Sequence, residues 1–351
     1  MNIYGSPTYI EDLRNTVKAS VRLEKMKHSS VLITGASGTI GSFCVDALLQ
    51  FNRDANAGIE IYAAGRNQER FERRFCGSED MDGDIHFLNY DLLKPITFTE
   101  SFDYIIHGAG NAYPDAFNSD PVGTIEGNVH GTYRLLEYAK GHGCRRFLYV
   151  STGEVYGECD ASLSPFQEPA SGQIDILSPR SCYPGSKRLA ETLCVSYRKQ
   201  KGLETVIARP CHTYGPGMLE GDNRANAQFL RNGALGKDII LKSKGSQMRS
   251  YAYTADCVSA ILTILLAGDG GEAYNCANSE SKCTIAEFAE IVAKVSGSKV
   301  VYENPSAADL ANRSPVMRQV LDTKKLEGLG WKGRYSVEKG VTHTLRILKG
   351  F

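Results

Sequence analysis

A glycine-rich turn between two apolar segments constrains this chain more than any other feature. VLIT (31–34) is a short apolar run, GASGTIG (35–41) is a turn, and SFCVDALLQF (42–51) repeats apolar residues at helical spacing. Gly35, Gly38 and Gly41 permit a tight turn and let a pyrophosphate approach the backbone. The helix N-terminal amides and the helix dipole then stabilise its charge. The alternation continues along the chain. Apolar strands fit at 59–64, 85–88, 103–106, 146–150 and 204–208, with clear helical segments at 123–140 and 184–200. Such alternation argues for an α/β fold, a doubly wound parallel sheet covered by helices on both faces. The end of the second strand reports on which dinucleotide would bind. An acidic residue there would hold the ribose 2′-OH of NAD, but the chain has Gly65-Arg66-Asn67. Arg66 suits a 2′-phosphate, which keeps NADP open beside NAD; the plainer reading is a surface arginine. Asp91, after the third strand, is placed to meet the adenosine, or else to cap the strand end.

The remaining sequence narrows the setting. The 351 residues carry no net charge, which gives no hint of a nucleic-acid or membrane partner. No apolar run reaches the roughly 18 residues of a membrane span. The start, MNIYGSPTYIEDLRN, lacks an apolar signal core, and the ten cysteines are scattered singly without CxxC or zinc spacing. They read as reduced thiols of a cytoplasmic protein, and no metal site is expected. Residues 8–26 read as an amphipathic helix with Thr8 and Glu11 as a capping box and Ile10, Leu13, Val17 and Val21 on one face. This arm (1–28) would pack on its own domain or, alternatively, on another subunit.

SCYPGSKRLAETL (181–193) sets Tyr183 and Lys187 one helical turn apart, on one face. An ammonium beside a phenol favours the phenolate and would make the tyrosine a usable base. The same spacing also arises as a lysine stem packed on a ring.

Together these features give the chain a resemblance to the extended short-chain dehydrogenase/reductase family, in its nucleotide-sugar epimerase, dehydratase and decarboxylase branch. The resemblance runs from about residue 30 to 345. It is carried by TGASGTIG, HGAG (107–110), GNVHGTYRLLEYA (127–139), YVSTGEVYG (149–157), SCYPGSKRLAE (181–191), ARPCHTYGP (208–216), GSQMRSYAYTAD (245–256) and LGW (329–331). SPRSCYPGSKRLAETL followed by RPCHTYGPGM looks most like the UDP-glucuronate decarboxylase group. The resemblance implies a Rossmann-type domain over 29–208, with later segments contributing. It also implies a smaller mixed α/β lobe over 209–351 that binds the nucleotide-diphosphate sugar.

It further implies roles. Tyr183 would take the proton of the sugar C4 hydroxyl, Thr152 would share that hydrogen bond, and Lys187 would hold the nicotinamide ribose and lower the phenol pKa. Glu154 would act as acid or base near C5 or C6, or only accept hydrogen bonds. Gly35, Ser37, Gly38, Thr39, Ile40, Gly41, Arg66, Asp91, Leu92, Gly108, Ala109, Gly110, Asn128 and Arg209 would line the cofactor, with Tyr183 and Lys187. Glu154, His212 and Arg249 would meet the substrate, Arg249 at the diphosphate. His107 would be a packed loop residue without a proton-transfer role. A homodimer through two helices per subunit, including the Tyr-Lys helix, is also implied, with Leu189, Leu193, Val195 and Tyr197 serving that contact or the core.

Three departures limit the reaction. Gly153 replaces the aspartate of the 4,6-dehydratases and the serine of the decarboxylases, which argues against dehydration. His212 replaces an asparagine, and a histidine can donate, accept or carry charge. Arg66 keeps an NADPH-consuming 4-ketoreductase open beside an epimerase or decarboxylase that recycles NAD.

Overall fold

The computed structural model describes residues 3–75, 84–306 and 316–350; Cys76 lies outside them. The six expected strands all form: β1 Ser30–Thr34, β2 Glu60–Gly65, β3 Ile85–Asn89, β4 Tyr104–His107, β5 Arg146–Val150 and β6 Thr205–Pro210. They pair in parallel in the order β3-β2-β1-β4-β5-β6. The short strands β7 His212–Tyr214, β8 Ile239–Leu241 and β9 Met248–Tyr253 follow, and then β10 Ala273–Cys276 returns to the sheet beside β6 as its seventh member. This is the doubly wound order whose switch point lies between β1 and β4, where ligands sit at the strand carboxyl ends. Register is set by apolar residues on both faces. Val31 lies beside Ile61 on one side and Tyr104 on the other, all buried.

The helices of the first half are α1 Pro7–Ala19, α2 Thr39–Ala55, α3 Gln68–Phe75, α4 Pro114–Ser119, α5 Pro121–Glu126 and α6 Thr132–Gly141. Then come α7 Cys182–Lys201, α8 Ala225–Ala234, α9 Thr254–Ala267, α10 Ile285–Ser296, α11 Lys324–Glu327 and α12 Val337–Lys349. The expected single helix over 123–140 is interrupted. Between α5 and α6 the chain makes a π-helical turn over Gly127–Gly131, a feature that often marks functional sites. The C-terminal part holds β9 between β11 (Lys282–Thr284) and β13 (Arg318–Gln319), with β7 also on β9, and β8 paired with β12 (Val300–Tyr302). α9 is buried from Thr254 to Leu266, as expected of a helix apolar on every side.

The arm begins differently from its expected form. Pro7 occupies the first helical turn after Ser6, so Thr8 and Glu11 lie inside α1 and form no capping box; α1 ends at Ala19. A true capping box appears at Thr284 and Glu287, opening α10. The arm packs on its own chain. Asp12 is buried and accepts from Tyr253 Oη at 2.5 Å, Tyr335 Oη at 2.7 Å and His343 Nδ1 at 2.8 Å. Tyr9 and Arg74 both reach Asp46 on α2, joining the arm to α3.

Candidate active site

The glycine turn forms as the residue pattern requires. Gly35 has φ +71°, and a Cβ there would stand 2.8 Å from the Gly108 carbonyl oxygen. A Cβ on Gly41 would fall 2.3 Å from the Gly35 oxygen, so only glycine lets α2 start this close to the turn. The turn floors one end of a cleft of about 680 Å³. Ser37, Gly38, Thr39 and Ile40 line it there, with Gly108, Ala109 and Gly110 on the facing wall. Arg66, Asp91 and Leu92 rim the same end, and Asp91 Oδ1 also caps the Leu93 amide at 3.0 Å. These groups form a cradle with the backbone approach and helix N-terminus that a dinucleotide pyrophosphate needs.

The other end holds Thr152, Gly153, Glu154, Tyr183, Lys187 and His212. Thr152 and Glu154 follow β5, and Tyr183 and Lys187 come from the first two turns of α7. The Tyr183 hydroxyl is hydrogen-bonded to Thr152, whose Oγ1 accepts from the Glu154 amide at 3.2 Å. Glu154 pairs with Arg180 at 3.2 Å. Asn128, on the π-turn, donates to Ser186 Oγ at 3.0 Å and so ties that turn to α7.

Burial pushes the Tyr183 phenol up to about 12, against the lowering effects of the Thr152 bond, Arg224 and Arg180. Lys187, one turn further along α7, has partners of its own. Its Nζ donates to the Val150 carbonyl at 2.9 Å and lies 4.7 Å from the centre of the Tyr149 ring. Burial lowers Lys187 to about 8. His212 is held neutral: burial first, then Arg249 and Arg224, push it well below the usual range. Of the roles open to a histidine there, the charged one is removed. His107 ends β4 rather than sitting in a loop. It bonds Thr34 and Thr132, and burial lowers it to about 3, so the ring is neutral, with a single N–H.

Two expected site residues do not line the cleft. Arg209 forks onto Glu191, with Nη2 to Oε2 at 2.6 Å and Nε to Oε1 at 3.0 Å, and its Nη1 bonds Tyr156 and the Glu168 carbonyl. Its guanidinium is committed to the domain's interior rather than to a cofactor. Arg249 is 3% exposed and donates to the Met248 and Val316 carbonyls, so its fork is turned to backbone.

A model of the NAD dependent epimerase/dehydratase family matches residues 31–277. The chain belongs to that family. It is 29% identical over 93% of its length to UDP-glucuronic acid decarboxylase 1 of Xenopus tropicalis, covering 74% of that protein. It is 33% identical over 89% of its length to UDP-glucuronic acid decarboxylase 6 of Arabidopsis thaliana, covering 86% of it. Among solved structures, the dTDP-glucose 4,6-dehydratase of Streptomyces venezuelae with NAD bound superposes with a TM-score of 0.75. That pair shares 26% identity over 91% of this chain and 96% of the other.

Within this family frame, the structure adds cleft residues that no sequence motif marked. Arg224 and Asp222 form an ion pair at 2.5 Å on the cleft wall, and Arg224 is near enough to Tyr183 to favour its phenolate. Gln319, from β13, also lines the cleft and donates to the Gly153 carbonyl at 2.8 Å. Arg70 stands beside Arg66 on the rim. GDNRANAQF gave no chemical signal, and Gln319 reaches the site only through the pairing of β13 with β9.

Gly153 is not forced by space. The nearest atoms to a Cβ there would be Leu321 Cδ1 at 3.4 Å, the Pro210 oxygen at 3.5 Å and Gln319 Nε2 at 3.7 Å, ordinary contact distances. Gly153→Ala should therefore fold and gain about 0.4–1 kcal/mol from the reduced freedom of the unfolded chain. Denaturant unfolding measures this; a loss of more than that amount would show that the site needs the missing side chain for space.

Proposed function

We propose that this protein remodels a nucleotide-diphosphate sugar at C4 and removes a C6 carboxylate as carbon dioxide. The observation that carries the reading is one cleft with two ends. Thr152, Tyr183, Glu154 and Lys187 meet at one end, and the glycine turn that receives a pyrophosphate lies at the other. Gly35, Ser37, Gly38, Thr39, Ile40, Gly41, Gly108, Ala109 and Gly110 would hold the dinucleotide backbone, Asp91 and Leu92 the adenosine, and Asn128 and Lys187 the nicotinamide side. When bound, the nicotinamide supplies reversible hydride exchange at the sugar C4, which makes the 4-keto sugar.

The residues of this chain do the rest. Tyr183 moves the proton of the C4 hydroxyl, with Thr152 fixing the hydroxyl's direction. In a 4-keto sugar the C6 carboxylate is that of a β-keto acid. Its bonding electrons pass into the ketone as carbon dioxide leaves, and Glu154 is the acid–base group beside C5. Arg180, Arg224 and Arg249 all act electrostatically on this end of the cleft, against two carboxylates, Glu154 and Asp222. That surplus suits a substrate with several negative charges. Gly153 lacks the acid that would expel a hydroxyl, so dehydration is disfavoured; epimerisation at C4 uses the same groups without loss of carbon.

The second reading is an NADPH-dependent 4-ketoreductase. It is favoured by Arg66 and Arg70 on the rim, where β2 ends in glycine rather than an acid. One experiment separates the readings. The purified protein is denatured and its nucleotide identified, and the native protein is then incubated with UDP-glucuronate while carbon dioxide is collected. Retained NAD and stoichiometric carbon dioxide support decarboxylation. An empty protein that is thermally stabilised by NADPH but not NAD would replace it with the ketoreductase.

The protein is further proposed to act in the cytoplasm as a homodimer. The nine cysteines among the described residues are free, as in a reducing compartment. Adjacent helices α5 and α7 leave Val122, Ile125, Leu189 and Val195 exposed, from 43% to 72%. Tyr197 is buried against Glu137 and belongs to the core instead. Leu189→Asp is expected to convert the dimer to a monomer in light scattering; a wild-type protein already monomeric at high concentration would rule the interface out.

A further inference from the structure

Tyr183 is buried in company unlike the rest of the interior. With Phe117 and Cys182 it forms a small apolar cluster apart from the larger cores. Phe117 is 1% exposed, on the short helix α4. Its ring stacks on the Tyr183 ring, with centroids 4.9 Å apart and planes 6° from parallel. That stack covers a face of the phenol with hydrocarbon and fixes the plane in which its hydroxyl moves. The Phe117 carbonyl also accepts from Cys182 Sγ at 3.5 Å, so backbone as well as ring is joined to the start of α7.

A second group uses the same ring. The Arg180 guanidinium lies 5.7 Å from the Phe117 centroid. Its Nε is buried without a hydrogen-bond partner, while its Nη2 reaches both Glu154 oxygens, at 3.4 and 3.2 Å. The aromatic face therefore helps hold an arginine whose outer edge holds Glu154. Glu154 returns through its amide to Thr152, and Thr152 to Tyr183. Five residues thus close a ring of contacts, one link running through the Glu154 backbone amide: Tyr183, Thr152, Glu154, Arg180 and Phe117.

We propose that Phe117 is a positioning residue, the shared platform that sets the plane of the Tyr183 phenol and seats the Arg180 that carries Glu154. This rests on the reading of Tyr183 as the proton-transferring group. Phe117 touches no reacting atom itself. Its effect belongs to geometry, so it should fall on turnover rather than on substrate affinity.

The test uses the full-length protein labelled with 3-fluorotyrosine, with the Tyr183 signal assigned by its loss in Tyr183→Phe. A ring stacked face to face has a ring-current-shifted ¹⁹F signal. Phe117→Leu should move that signal toward the value of a free fluorotyrosine. It should lower kcat about 10- to 100-fold with KM within about twofold. Phe117→Tyr keeps the ring and should recover both. If the leucine variant does not fold, Phe117→Met carries the same comparison. An unmoved signal overturns the proposal, and so does a moved signal with unchanged kcat. A wild-type protein with no turnover on any sugar nucleotide would sink the proton-transfer reading instead. The ¹⁹F comparison would then still decide whether Phe117 sets the plane of Tyr183.

Discussion

Tyr183→Phe should lower turnover about 10²–10⁴-fold, the usual contribution of a positioned acid–base group. Cofactor retention should change little. The substitution removes one oxygen and keeps the ring that stacks on Phe117 at 4.9 Å. The fold should also hold, because the bond lost is the one to Thr152, which remains bonded to the Glu154 amide. Steady-state rates and the nucleotide released on denaturation check the two halves separately. A companion expectation concerns pH. Burial holds the phenol up to about 12, so at neutral pH it is protonated, and the basic form grows as pH rises. Turnover should therefore climb through the neutral and mildly alkaline range. If the phenylalanine variant kept the rate, another group would be moving the C4 proton.

Arg209→Ala should destabilise the fold by about 3–5 kcal/mol, because it leaves a buried carboxylate without its partner. Glu191 is 8% exposed and accepts from Arg209 through both oxygens, and from Ser151 Oγ. The same change removes donors to Tyr156 and the Glu168 carbonyl. Replacing both partners, Arg209→Met with Glu191→Leu, should recover much of the loss, since neither charge then stays buried alone. Urea midpoints measure both variants. An alanine variant of normal stability that failed to hold nucleotide would return Arg209 to the cofactor site.

These two residues also show where the sequence could be read and where it could not. The parallel sheet was legible because each strand is an apolar run between turn and helix signals, and burial on both faces leaves that mark. The glycine turn was legible because Gly35 and Gly41 meet backbone that no side chain would clear. The Tyr183–Lys187 spacing put both residues on one face of a helix, and both line the cleft, but spacing cannot say where an ammonium points. Lys187 turned to the Val150 carbonyl, a partner supplied by the end of β5. Arg209 sat in a motif whose neighbours line the cleft, yet a strand carries its side chains to alternate faces, and Glu191 waited on the other side. Arg224 and Gln319 had no motif at all; tertiary pairing alone brings them in. The break in the helix over 123–140 was equally hidden, since a single π-turn scarcely disturbs apolar periodicity.

The three bonds on Asp12 set an order of events during synthesis. The carboxylate is made near the start of the chain, but Tyr335 and His343 come more than 300 residues later, the histidine 331 positions on. At translation speeds of roughly 5–20 residues per second, this acceptor waits on the order of tens of seconds for its last donors. Until then that carboxylate is short of donors. The nascent Rossmann strands can pair as they emerge and α1 can rest on α2 through Tyr9 and Asp46, but the acceptor at Asp12 is completed only once residue 343 has been made.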